Sequence, residues 1–133
     1  MDFQTFSIRT ARRDEFVDIS EQVASLLDTT GIENGLCLVS VPHTTAGITI
    51  NEAADSSVKR DILMELDKIV PLNDAYTHGE GNSAAHIKTS LMGSSISVTV
   101  QNKRLVLGRW QGIYFCEFDG PRTRDIHCTF FEG

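Results

Sequence analysis

The stretch ISVTVQNKRLVLGRWQGIYFCEFDGPRTRDIHCTFF, residues 96–131, decides the fold class. Short apolar or alternating runs follow one another along it and are separated by turn residues. This pattern predicts strands over residues 96–100, 105–107, 111–118 and 126–131. Turns are predicted at Asn102-Lys103 and at Gly120-Pro121. The C-terminal third of the chain is therefore predicted to consist of antiparallel strands.

The first 95 residues predict further strands and up to three helices. The strands are predicted over residues 3–9, 15–19, 35–41 and 46–50, with the second as the hairpin partner of the first. The helices are predicted between Ser20 and Gly31, from a cap at Asp55 or Ser56 to about Ile69, and between Asn82 and Gly93. We therefore expect a single α+β domain over residues 1–133, in which antiparallel sheets pack as a sandwich with two to three helices.

The charge balance argues against a nucleic-acid partner. The chain of 133 residues carries 12 Lys and Arg against 18 Asp and Glu, a formal net charge of −6. A domain that binds duplex DNA usually has a basic excess or a basic stripe, and this sequence has neither. Between residues 100 and 124, however, bases outnumber acids, with five Lys and Arg against two Asp and Glu. That local balance favours a small anionic ligand over a polyanion.

Location is inferred from apolar runs and cysteines. No apolar run approaches the roughly 20 residues of a membrane helix, and the N-terminus lacks the apolar segment of a signal peptide. Cys37, Cys116 and Cys128 lie in strand-like stretches without a CxxC motif, which predicts buried free thiols in a reducing compartment. We therefore expect a cytoplasmic protein with no membrane partner.

Three of the four histidines lie at the ends of predicted elements or in loops. His43 follows a strand, His78 lies in a glycine-rich loop, and His86 lies one turn into the third helix. Three imidazoles from separate segments can form an open tetrahedral zinc site, whose fourth position stays free for water or substrate. The alternative is three separate polar histidines, because no HExxH motif is present. His127, within a strand, is interpreted as structural or surface-exposed.

The loop HGEGN, residues 78–82, is a second candidate ligand site. Its glycines allow close approach of a ligand, and the helix that follows presents free N–H groups to an anion. The alternative is an ordinary turn. Lys88 either adds charge to this site or is a solvated helix lysine. Arg122, at a predicted turn, is a candidate phosphate clamp.

Carboxylates gather in the middle of the chain. Glu52, Asp55 and Asp61 occur there, with Asn51 beside the first. Asp55 and Asp61 lie nearly two helical turns apart, so a common helix face is one interpretation. The other is that Asp55 complements the helix N-terminus and Asp61 is solvated.

Four stretches together resemble one family. They are HTTAGITINE (43–52), HGEGNSAAHIKTSLMG (78–93), LGRWQGI (107–113) and EFDGPRTR (117–124). Over essentially its whole length, the chain resembles the secondary thiamine-phosphate synthase family, also called YjbQ-like. The resemblance implies an α+β domain with a large antiparallel sheet arrangement, assembled as a homotrimer.

The same resemblance assigns roles to individual residues. It implies a divalent metal, zinc above all, bound by His43, His78 and His86. The candidate catalytic residues are Glu52, Glu80, Asp55 and Asp61. The candidate substrate contacts are Asn51, Asn82, Lys88, Gln111 and Arg122.

The implied reaction joins hydroxymethylpyrimidine diphosphate to thiazole phosphate and releases pyrophosphate. Negative charge develops on the leaving group, which suits a metal, a helix N-terminus and cationic side chains. Two alternatives stay open. One is a metal-dependent hydrolase of a small phosphorylated or carbonyl substrate, and the other is a non-catalytic metal- or anion-binding module.

Overall fold

A computed structural model, covering residues 1–133, contains eight strands and three helices. The strands are β1 (Asp2–Arg9), β2 (Glu15–Asp18), β3 (Gly35–Ser40), β4 (Ala46–Glu52), β5 (Ser95–Gln101), β6 (Arg104–Leu105), β7 (Gln111–Glu117) and β8 (Thr123–Glu132). The helices are α1 (Ser20–Thr30), α2 (Ser56–Ile69) and α3 (Ser83–Met92). All strand pairs are antiparallel. The predicted α+β class with three helices is confirmed.

Two sheets enclose the main core. One has five strands in the order β1-β8-β3-β5-β6, and the other has three in the order β2-β7-β4. Inward side chains of both sheets belong to one buried cluster, in which Cys37 and Phe130 represent the first sheet and Ile48 and Phe115 the second. Helix α1 adds Val23 to the same cluster. The sheets therefore pack face to face, as the sandwich prediction requires.

Strand β2 does not pair with β1, so the predicted N-terminal hairpin is wrong. Strand β1 instead pairs with β8 along its whole length, whereas β2 pairs with β7 in the other sheet. The physical reason is the apolar side chain of Phe16, which packs against Tyr114 and Phe118 in a second core cluster. Residues 10–14 connect β1 in one sheet to β2 in the other. Because this segment is short and charged, its composition is the same as that of a hairpin turn.

Helices α2 and α3 cover the other face of the three-stranded sheet. Leu66 of α2 and Ala85 of α3 join Tyr114 and Cys116 of β7 in the second core cluster. Strand β7 is thus buried on both faces, which explains its continuous apolar run. The longest helix has 14 residues, and no helix is long and apolar enough to cross a membrane.

The helix caps follow the sequence predictions only in part. Asp55 caps α2 by accepting a hydrogen bond from the backbone N–H of Ser57, as predicted. Ser20 is not the cap of α1, because the helix begins at Ser20 itself and its Oγ accepts a hydrogen bond of 2.8 Å from the N–H of Ile113. Asn82 stands at the start of α3 but makes no side-chain cap bond. The predicted cap position is therefore confirmed for α3, without the side-chain hydrogen bond, and is wrong for α1, where the N-cap is Ile19 and the hydroxyl of Ser20 binds Ile113 instead.

Gly47 allows α3 to lie close to β4. A Cβ atom at this position would lie 2.7 Å from the carbonyl oxygen of Gly93 and 3.1 Å from Cβ of Met92. The next residue, Ile48, donates its N–H to the same Gly93 oxygen at 3.0 Å. The C-terminal end of α3, and with it the position of His86, is therefore set by close backbone contact with β4.

Candidate functional site

His78 and His86 are neighbours. Their ring centroids lie 5.3 Å apart and their planes are almost perpendicular, at 89°. Two imidazoles that bind one tetrahedral zinc ion through bonds of about 2.0–2.1 Å place their centroids about 5 Å apart. The pair therefore has the spacing that two ligands of one ion require.

His43 lies on the same groove as this pair. It lines a recess of about 560 Å³ together with His86 and Thr89. A second recess of about 510 Å³ contains His78 and shares His86 with the first. We call the two recesses, which meet at His86, the histidine groove. The three histidines that the sequence predicted as metal ligands thus line two neighbouring recesses.

The two nitrogens of His43 are not equivalent in this arrangement. Its Nε2 accepts a hydrogen bond of 3.0 Å from the backbone N–H of Asp125. Burial lowers the pKa of His43, and the positive charge of Arg124 lowers it further. The ring is therefore neutral near pH 7, with its proton on Nδ1.

The donor set fits a metal only in part. His78 and His86 have the required spacing, but no three His, Cys, Asp or Glu side chains are close enough to share one ion. His43 could complete the set only if its Nε2 were released from the N–H of Asp125. The metal assignment stays a prediction for which two of the three residues are well placed.

Thr89 contributes a polar atom that sequence analysis did not single out. The residue is 8% exposed, and its Oγ1 is buried without a hydrogen-bond partner. Thr89 lines the histidine groove beside His43 and His86. A buried hydroxyl without a partner is unfavourable by about 1–3 kcal/mol. Thr89 therefore places an unpartnered hydroxyl, itself closed to solvent, in the wall of the groove.

Lys88 is not a solvated helix lysine, which was one of the two alternatives. It is 3% exposed, and its Nζ lies 2.6 Å from Oδ2 of Asp14 and 2.5 Å from Oδ1 of Asp67. It faces inward because α3 presents this side toward the ring of Phe118, 5.8 Å from Nζ. Both carboxylates occupy the ammonium group, so Lys88 is not free to contact a phosphate in this arrangement.

Arg122 supports its own turn. Its Nε donates to the carbonyl oxygen of Asp119 at 2.9 Å, and its Nη2 lies 3.2 Å from Oδ2 of the same residue. Asn82 donates to that Oδ2 at 2.9 Å. Asn82 also lines a cavity of about 180 Å³ with Glu80 and Lys88. This cavity shares no lining residue with the histidine groove.

The remaining predicted site residues lie far from the histidines. Glu52 pairs with Gln111 at the end of β4 that is opposite to His43. The six residue steps from Ala46 to Glu52 span about 20 Å at about 3.3 Å per residue. Asn51, Glu52 and Gln111 accept local backbone hydrogen bonds there, Asp55 caps α2, and Asp61 lies exposed on α2. Within one chain, the predicted site is therefore divided.

Sequence reasoning missed the buried network in EFDGPRTR. Arg124 donates to both carboxylate oxygens of Glu117 and, through Nη2, to Oγ1 of Thr45 at 2.9 Å. Glu117 also accepts hydrogen bonds from Thr10 Oγ1 and from the N–H groups of Phe118 and Asp119. Burial alone would raise the pKa of Glu117, but these donors hold it below its usual range.

This network positions His43. Arg124 and the Asp125 that donates to His43 are consecutive in β8, and Arg124 also donates to the carbonyl oxygen of Thr45, two residues after His43. The available signal was the alternation of β8, which places Arg124 on the same face as the buried Ile126 and Cys128. An arginine on that face predicts a buried ionic partner.

These features define a class of protein: an α+β sandwich with a histidine-lined groove at one edge of its smaller sheet. The model of the UPF0047 protein YjbQ-like family matches residues 4–133. The chain belongs to this family.

Sequence relatives and solved structures of the same family support this membership. UPF0047 protein YugU of Bacillus subtilis is 55% identical over 125 residues, which cover 93% of this chain and 95% of that protein. UPF0047 protein MJ1081 of Methanocaldococcus jannaschii is 48% identical, with coverages of 92% and 88%. A YjbQ/UPF0047 family structure from Clostridium acetobutylicum, 52% identical, superposes with a TM-score of 0.95 and covers 96% of this chain and 99% of that one. These names state the family and no reaction.

Proposed function

We propose that this protein is a metal-dependent enzyme whose metal is bound at the histidine groove by His78 and His86. The observation that carries the proposal is the 5.3 Å separation of their ring centroids. Imidazole ligands favour zinc or another transition metal over magnesium, which prefers carboxylates and water. His43, which lines the same recess as His86, is the third proposed ligand.

The reaction that we propose is the one implied by the family resemblance, the joining of hydroxymethylpyrimidine diphosphate to thiazole phosphate with release of pyrophosphate. When bound, the metal supplies Lewis-acid stabilisation of negative charge. The unpartnered hydroxyl of Thr89 would donate to a ligand oxygen if ligand binding opened the groove wall to it. Ser83, the first residue of α3, lines the same recess as His78, and a helix N-terminus favours an anion there.

The carboxylates enter this proposal in two ways. Glu80, two residues after His78, is proposed to handle a proton or to orient the ligand. Glu52, Asp55 and Asp61 lie at the other end of β4 or on α2, so they can act at the groove only from a second copy of the chain. The proposed homotrimer would supply that copy and would cover exposed strand edges.

One observation favours hydrolysis as a second candidate function. The lining of the histidine groove contains no Lys or Arg side chain. Apart from the three histidines, it consists of small, hydroxyl-bearing and apolar residues between Thr44 and Ser94. A diphosphate is usually met by cationic side chains. A metal-activated water acting on a small carbonyl or phosphorylated substrate requires fewer of them.

The test follows metal content and products together. The protein is purified from an expression host that lacks the host's own thiamine-phosphate synthase, and it is then treated with a chelator. Formation of thiamine phosphate is measured before and after zinc is restored. We expect slow formation that depends on zinc, with His86→Ala losing both metal and activity. His127→Ala is the matched control, because His127 packs on Phe3 outside the groove. Equal trace signals from the wild type and His86→Ala would reject the synthase.

The other outcomes are separated by product analysis. Zinc-dependent release of phosphate without coupling of the two substrates would support the hydrolase. Zinc binding without turnover of either kind would support the non-catalytic module. Metal content that His86→Ala leaves unchanged would reject the metal site itself.

Assembly and location complete the proposal. Light scattering should give the mass of a trimer, and a stable monomer across a wide dilution range would contradict it. Mixing inactive His86→Ala and Glu52→Ala proteins, followed by subunit exchange, should restore part of the activity if the site is shared. The three cysteines are free and buried, which supports a reducing compartment such as the cytoplasm.

A further inference from the structure

A separate recess of about 410 Å³ lies between the segment that leads into β2 and the first turns of α2. Arg12, Lys59 and Arg60 contribute its cationic side chains, Ser56 a hydroxyl, and Phe16 and Leu63 apolar surface. None of its lining residues belongs to the histidine groove. We call it the cationic recess.

The three cations of this recess form no salt bridge within the chain. None of them takes part in any of the salt bridges or side-chain hydrogen bonds. Lys59 lies 5.9 Å from the centroid of the Tyr114 ring, a contact that leaves its charge unneutralised. Hydrogen bonds from the N–H and Oγ of Ser57 lower the pKa of Asp55, the cap of α2, and the positive charge of Arg60 lowers it further without a direct contact.

The two acids that line the recess differ in how far they offset this charge. The oxygens of Asp14 bind Arg13 at 2.7 Å and the buried Lys88 at 2.6 Å. Glu15 accepts a hydrogen bond of 2.8 Å at Oε1 from the neutral N–H of Ala11, which does not cancel its negative charge. The three cations still outnumber the two acids of the lining, and in a chain of net charge −6 this local positive balance attracts anions.

We infer that the cationic recess binds a small phosphomonoester with an apolar body. Guanidinium groups match phosphate oxygens with paired N–H donors, and Lys59 and Ser56 can add a charge and a hydroxyl. The apolar surface of Phe16 and Leu63 suits the organic part of such a ligand, and the volume is within the usual range of small-molecule sites. Because the recess contains none of the proposed metal ligands, this binding is independent of metal.

The experiment measures binding of three probes to the intact protein by calorimetry or by NMR titration. Phenyl phosphate, inorganic phosphate and phenol are each titrated into chelator-treated and zinc-loaded protein. We expect phenyl phosphate to bind several-fold more tightly than inorganic phosphate and with the same affinity in both preparations. Phenol alone should show no measurable binding.

Variants locate the site. The double variant Arg12→Gln/Arg60→Gln, at two exposed positions, should weaken phenyl phosphate binding at least tenfold. Lys68→Gln is the matched control, because it removes one positive charge from the same helix and Lys68 pairs only with Glu65. It should change the affinity less than twofold, and His86→Ala should not change it.

Three results would overturn the inference. The first is an unchanged affinity of the double variant for phenyl phosphate. The second is a loss of affinity in Lys68→Gln as large as that in the double variant, and the third is phenyl phosphate binding that appears only with zinc. The proposed function is tested by zinc dependence and by His86→Ala. Failure of one proposal is therefore distinguishable from failure of the other.

Discussion

Arg124 of β8 and Glu117 of β7 form an ion pair that joins the two sheets of the sandwich. The Arg124 side chain is 3% exposed and that of Glu117 is fully buried. Moving both charges out of water is costly, and their attraction together with the surrounding hydrogen bonds offsets that cost. The pair therefore contributes more to how the sheets are docked than to net stability.

Removing one partner of this pair should be strongly destabilising. Arg124→Met leaves the carboxylate of Glu117 buried without its main counter-charge, so we expect a loss of about 3–5 kcal/mol in the free energy of unfolding. Adding Glu117→Leu should restore much of that loss. Urea denaturation of the single and double variants measures both effects. Arg122→Met, at a half-exposed ion pair, should cost about 1 kcal/mol or less.

The same carboxylate should make the fold sensitive to acid. Burial opposes ionisation of Glu117, but Arg124, the Asp119 N–H and Thr10 together lower its folded pKa below the ordinary value of 4.5. Its contribution to stability is therefore present above that value and is lost as the pH falls through the folded pKa. Thermal unfolding of the wild type and the Arg124→Met/Glu117→Leu variant between pH 7 and pH 3 should show a shallower decline in the variant. Parallel curves would contradict this.

For the unpartnered hydroxyl of Thr89 we predict that removal does not lower stability, in contrast to the loss expected for Arg124→Met. Thr89→Val removes a buried polar atom that has no partner, so the ligand-free protein should be as stable as the wild type or more stable. Binding of ligand at the histidine groove should weaken. Thr45→Val, at a residue whose hydroxyl accepts from Arg124, should instead lower the melting temperature. Equal melting temperatures of the two variants would contradict the assignment of Thr89.

Gly47 should tolerate no side chain. In Gly47→Ala the new methyl group would meet the Gly93 carbonyl oxygen at 2.7 Å, and relieving that contact should cost about 1–3 kcal/mol. Because the end of α3 must move, zinc content should fall as well. Gly79→Ala is the control, since a Cβ there would meet nothing within 4 Å. Urea denaturation and metal analysis of both variants test the pair.

The strands, helices and sandwich could be predicted from the sequence because local apolar periodicity encodes them. The pairing of β2 could not, because Phe16 is compatible with a partner in either sheet until Tyr114 and Phe118 are placed in space. Cap residues show the same limit. Ser20 has the chemistry of an N-cap, but Ile113 takes its hydroxyl oxygen.

The sequence was sufficient to predict that the histidines lie near one another, but not which partners the charged side chains bind. His43, His78 and His86 lie at element ends, where a groove can form, and the structure places them along one. Lys88 contacts Asp14 and Asp67 rather than water or phosphate. Both carboxylates are distant from Lys88 in sequence, so this contact could not be predicted from the motif. Short motifs therefore identified which residues carry chemistry but not which of them meet one another.

Strand β8 is hydrogen-bonded along both of its edges, to β1 and to β3. A single inserted residue near its start would exchange its two faces, turning Arg124 outward and burying Asp125. The segment 72–77, which precedes His78, has no such constraint, because no strand or helix runs through it. Over evolutionary time, changes in chain length should therefore accumulate in that segment and be eliminated from β8, so that the spacing between Glu117 and Arg124 is preserved even where the residues around it drift.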